Sequence, residues 1–137
     1  DIFVPVNRRV TTVGVLQGGT AGTDKILVAI YNNSGTLISS SSVAGVNLSG
    51  ANTFLELTLS LDGAGAAITF LQMYGPQQYY IAVQGNGTAA GAIQTVASPY
   101  LDICAGAVAA GSFGTIPASI TLPVTFTSAK APIVYIY

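Results

Sequence analysis

Phe54–Leu61 reads FLELTLSL, with Leu55, Leu57, Leu59 and Leu61 alternating with Glu56, Thr58 and Ser60. A period of two sends the leucines to one face of an extended chain and the polar residues to the other. The stretch therefore predicts a half-buried antiparallel strand. Upstream, Lys25–Tyr31 (KILVAIY) is almost continuously apolar and predicts a central strand. Asn32–Gly35 (NNSG) supplies turn residues that tolerate positive φ, so Thr36–Ser42 returns as the partner of a hairpin. Val10–Leu16 is rich in Val and Thr and predicts another strand. Gln17–Thr23 and Gly45–Asn52 read as loops.

Downstream, the short run Ile68–Tyr74 (ITFLQMY) meets Gly75–Pro76, which stops any helix. Gln78–Gln84 predicts a strand, Gly85–Gly91 a turn and Ile93–Ala97 a short strand before Pro99. Ile103–Phe113 is rich in Ala and Gly and fits neither period. Pro117, Pro123 and Pro132 mark edges and loops, and Ile133–Tyr137 (IVYIY) closes the chain as a strand. About six to eight strands separated by Gly-rich turns predict an antiparallel β-sandwich or barrel. No linker divides residues 1–137, so one domain is expected, with residues 1–9 as an N-terminal arm.

Charge is the scarcest property of the chain. Only 7% of its 137 residues are charged, against about a quarter in ordinary soluble domains. Four Lys/Arg against five Asp/Glu leave a formal net charge of −1. Four cations cannot build the basic patch that displaces counterions from phosphates, so nucleic acid is not an expected partner. No run of about 18 apolar residues occurs, so no membrane helix is expected. The Ala105–Gly114 stretch remains a weaker candidate for membrane contact. Residues 1–9 lack the basic start and apolar run of a secretory signal. A chain beginning at Asp1 is read as either processed or part of something longer. An exterior so weakly ionised resists self-association poorly, which suits a subunit packed against copies or partners.

Catalytic chemistry finds little support. Histidine is absent, removing the commonest general base and metal ligand. Cys104 is the only cysteine, so it can form no disulfide within the chain and has no imidazole to activate it. GNGTAAG at Gly85–Gly91 fits G-x-G-x-x-A, with Asp102 further on, but no amphipathic helix follows it and a turn is the better reading. GGTAGTDK lacks the Gly-Lys-Ser/Thr ending of a phosphate loop. Asp1, Asp24, Glu56, Asp62 and Asp102 show no spacing that pairs two of them for hydrolysis, and Asp24 is expected at the surface beside Lys25. Neither a dense Asp/Asn loop for calcium nor any other metal or cofactor motif is present.

The seven tyrosines carry more information. Tyr79 and Tyr80 are strand neighbours, so one faces the core and the other faces out. Tyr135 and Tyr137 share a face of the last strand. An outward phenol can bury against another chain or stack on a sugar ring. Tyr79, Tyr80, Tyr135, Tyr137 and the basic pair Arg8–Arg9 are the candidate interface residues.

Three stretches together carry a resemblance: VTTVGVLQGGTAGTDKILVAIYNNSGTLISSS, FLELTL and YGPQQYYIAVQGNGT. Over residues 10–90 the chain resembles a jelly-roll-type β-sandwich of tailed-bacteriophage virion proteins. Tyr31, Gly35, Gly75, Pro76, Tyr79 and Tyr80 occupy the matching places. The resemblance implies a structural, non-enzymatic subunit, often trimeric, that decorates or projects from a phage particle. Its partners would be copies of itself and other virion proteins. The competing reading is a carbohydrate-binding or adhesin-like domain, for which a glycan is the partner.

Overall fold

A computed structural model describes residues 1–87, 92–96, 112–124 and 131–137. Every regular element among them is a strand. In chain order they are β1 (Ile2–Val4), β2 (Arg8–Val10), β3 (Thr12–Leu16), β4 (Lys25–Tyr31), β5 (Leu37–Ser40), β6 (Val46–Asn47) and β7 (Phe54–Thr58). There follow β8 (Leu61–Asp62), β9 (Leu71–Met73), β10 (Gln77–Gly85), β11 (Thr95–Val96), β12 (Ala131–Pro132) and β13 (Val134–Ile136).

All pairings between these strands are antiparallel. The larger sheet runs β1–β10–β4–β5–β8, with β6 also pairing β4. A smaller sheet runs β13–β3–β7, and β2–β9 and β11–β12 form two-stranded ribbons. One apolar cluster joins Ile26, Val28 and Ile30 of β4 to Val13 and Val15 of β3 and Leu57 of β7. Val10, Leu71 and Met73 from the β2–β9 ribbon enter the same cluster. Inward faces of two sheets sharing one core make the all-β sandwich that the alternating pattern predicted.

Strand β4 is buried on both faces, as its unbroken apolar run implies. Leu27, Ala29 and Tyr31 point away from that cluster yet are also buried. The 112–124 segment crosses this outer side. The Tyr31 hydroxyl donates to the Pro117 carbonyl (3.0 Å), Leu37 N–H to Ala118 (2.9 Å) and Ile120 N–H to Gly35 (2.8 Å). At the other end the Gln84 side chain donates to the Ser112 carbonyl and accepts from Gly114 N–H.

Phe54–Leu61 departs from its reading as one strand. Pairing with β3 ends at Thr58, and Leu61–Asp62 joins β5 in the opposite sheet. Leu57 and Leu59 are both fully buried because the chain passes over one core as it changes sheets. Two similar side chains contribute about 1.5–3 kcal/mol each by leaving water.

Residues 1–9 are also built into the fold. Strand β1 pairs with β10 along Ile2–Val4, Val4 is buried, and Arg8–Val10 pairs with β9. Asp24 corrects another expectation: it is only 4% exposed, and its backbone carbonyl accepts from Leu48 N–H.

Two hairpin turns repeat one design. The Asn32 Oδ1 accepts from Ser34 and Thr36 N–H, both at 2.9 Å. The Asp62 Oδ1 accepts from Ala64 (2.9 Å) and Ala66 (2.8 Å) N–H in the same i+2, i+4 pattern. In each, a glycine at the fourth position takes the left-handed φ that closes the turn: +77° at Gly35 and +85° at Gly65.

Candidate binding surfaces

The outward face of the β13–β3–β7 sheet gathers aromatic rings around one carboxylate. Pairing places Tyr135 opposite Gly14, and Gly14 opposite Glu56. The side chains of Tyr135 and Glu56 share the solvent side, across Gly14, because the strand neighbours Val13, Val15, Leu55, Leu57, Val134 and Ile136 turn to the core. Gly14 lets the Tyr135 ring lie across β3; a Cβ there would fall 2.1 Å from Tyr135 Cε1. The phenol thereby reaches the next strand but one and donates to Glu56 Oε1 at 2.9 Å. Tyr137 donates to Glu56 Oε2 at 3.0 Å. The two tyrosine rings are 5.7 Å apart with planes 25° from parallel, and Phe54 meets Tyr135 edge-on at 4.7 Å. Removal from water pushes the Tyr135 hydroxyl above the ordinary tyrosine range, and the hydrogen bond to Glu56, its charge and nearby Tyr137 push the same way.

A second exposed group lies where the first residues meet the Gly75–Pro76 corner. Phe3, Val6 and Tyr74 are 62%, 60% and 61% exposed. Gly75 packs directly on this N-terminal segment: a Cβ on it would stand 2.5 Å from Val6 N and 2.6 Å from Val4 O. The Gly75 N–H also donates to Asn7 Oδ1 at 3.0 Å.

The candidate residues divide accordingly. Tyr135 and Tyr137 come together on one face, as their spacing implied. Tyr79 is buried, and its hydroxyl donates to Tyr74 O (2.9 Å) and accepts from Tyr74 N–H (2.8 Å). It has little surface to offer a second chain. Its neighbour Tyr80 is half-buried. Arg8 and Arg9 are exposed on β2, and the Arg9 guanidinium sits 4.6 Å over the Phe70 ring.

Glu56, Gly14 and Phe54 join the tyrosines only through strand register, which one strand's sequence does not disclose. Phe3, Val6 and Tyr74 were likewise passed over, because isolated apolar residues in a sequence carry no signal of their exposure. Asp102, Cys104 and residues 105–111 of the Ala/Gly-rich stretch lie outside the described residues.

Among the described residues no three of Asp, Glu or Cys cluster as metal ligands, and no helix is long and apolar enough to cross a membrane. The chain matches no family model, no curated protein and no solved structure.

Proposed function

We propose that the chain is a structural, non-enzymatic subunit with a jelly-roll-type sandwich that decorates or projects from a bacteriophage particle. It acts through contacts with copies of itself, as a trimer, and with other virion proteins. The observation that carries this reading is the exposure of three large apolar side chains, Phe3 and Val6 on the N-terminal segment and Tyr74 beside the Gly75 that packs on it. Such exposure on a surface with so few charges favours a protein contact.

Strand β13 offers a second route. Among the described residues it pairs with β3 alone. Leu16 N–H bonds to the Ile133 carbonyl, and Tyr137 N–H to Thr12. The intervening peptide groups of Val134 and Ile136 therefore point to the other edge, where a neighbouring strand can add. In this reading Arg8, exposed on β2, bridges to a second chain.

The test is a triple variant, Phe3→Ser, Val6→Ser and Tyr74→Ser, compared with the unchanged chain by analytical ultracentrifugation. The reading expects the variant to stay folded by circular dichroism and to sediment as single chains. An assembly unchanged by all three substitutions removes this surface as the contact. Immunogold labelling of phage particles made by a strain carrying the gene tests the virion assignment.

A further inference from the structure

We propose that the outer face of the β13–β3–β7 sheet is a carbohydrate site, taking the apolar face of one neutral pyranose ring on Tyr135 and Tyr137. This goes beyond the assembly reading and uses a different surface.

Shape argues first. The two rings stack on each other 25° from parallel, with Phe54 edge-on to Tyr135 and the 52% exposed Tyr137 ring as the open platform of the stack. A pyranose has flat C–H faces and a rim of hydroxyls, so it needs an apolar floor with polar groups at the margin. Glu56 supplies that margin. A carboxylate has about four lone-pair sites. The two tyrosine hydroxyls occupy one on each oxygen, which leaves acceptor capacity for sugar hydroxyls.

Preorganisation argues second. Glu56 holds both phenols, and the Tyr135 ring lies flat on Gly14. The ring stack is already held in place, so little side-chain freedom is lost when a ligand arrives.

Size and charge select the class. Three strands span about 10 Å across and two residues about 7 Å along the chain. That fits one sugar ring and is far smaller than the roughly 800 Å² per partner of a stable protein interface. The Glu56 carboxylate repels anionic sugars, so a neutral hexopyranoside fits and a uronate does not.

The test uses the full chain and follows tyrosine ring signals by NMR. Methyl β-D-galactopyranoside, methyl β-D-glucopyranoside and methyl α-D-mannopyranoside are titrated separately, with glucuronate as the anionic comparison. At least one neutral glycoside should shift the Tyr135 and Tyr137 signals saturably at millimolar concentration, and glucuronate should not. Tyr137→Ala should weaken that binding about tenfold. Tyr137→Phe, which keeps the ring, should retain most of it, and the triple variant at Phe3, Val6 and Tyr74 should bind unchanged. The proposal is overturned if none of the neutral sugars saturates these signals, or if Tyr137→Ala binds as well as the unchanged chain. Ring shifts that follow protein concentration instead of sugar overturn it too, by assigning the face to a second copy.

Discussion

The Tyr135 ring lies so close over Gly14 that a Cβ at Gly14 would stand 2.1 Å from Tyr135 Cε1 and 2.4 Å from Cζ. An alanine there fits only if the ring swings off the sheet and releases Glu56. Gly14→Ala should therefore destabilise the chain by about 1–3 kcal/mol, the range of an overpacked site. The same substitution in a Tyr135→Ala background should cost almost nothing, since Ala suits an extended strand once the ring is gone. Denaturant unfolding of the four members of this cycle checks it. Equal cost in both backgrounds would show that the ring is not the obstacle.

Gln17 ties two loops together from a buried position. Its Nε2 donates to Ser49 Oγ (2.9 Å), and its Oε1 accepts from Ser49 N–H (2.8 Å) and Gly50 N–H (3.3 Å). Gln17→Leu leaves those peptide groups without their partner. A loss of about 1–3 kcal/mol is expected, with faster hydrogen exchange at Ser49 and Gly50. Unchanged exchange would place the anchor of this loop elsewhere.

The twin turns predict matched effects. Asn32→Ala and Asp62→Ala each remove one oxygen that receives two backbone N–H groups. Each should cost about 1–2 kcal/mol. Asp62→Asn keeps the accepting oxygen and should cost far less than Asp62→Ala. Thermal unfolding of the three variants separates the oxygen's role from its charge.

Alkaline pH should weaken the fold through its phenols. Burial holds the Tyr31 hydroxyl above the ordinary tyrosine range, and Tyr135 is raised by removal from water and then by Glu56. Folded phenols thus keep protons that unfolded ones lose first. Their contribution is intact below about pH 10, the unfolded value, and is lost as pH climbs through the raised folded values. Tyrosinate absorbance followed beside the melting temperature checks this. Tyr31→Phe and Tyr135→Phe together should flatten the decline, and a decline of unchanged steepness would assign it to other groups.

Much of the fold was legible where one physical signal dominated. The run Lys25–Tyr31 had no polar face to give to water, and β4 is accordingly buried on both sides. The Asn-Asn-Ser-Gly turn was legible because few residues other than Gly accept its left-handed position. Phe54–Leu61 misled for a definite reason: alternation reports which way a side chain points, and says nothing of which sheet the strand joins. Leu59 and Leu61 kept the period while the chain changed sheets. Asp24 misled because a charge argues for solvent unless the fold provides for it. At the aromatic face, Tyr135 and Tyr137 were visible from their spacing. Glu56 and Gly14 were not, since they arrive from two other strands through register.

The central claim is that this chain works as an assembled subunit, and its mass in solution tests that most directly. Light scattering of the unmodified chain across the micromolar range should give a multiple of the 13.9 kDa single-chain mass, with three copies as the expected state. A constant 13.9 kDa over the whole range, with Phe3, Val6 and Tyr74 facing water in a stable lone chain, would contradict the account.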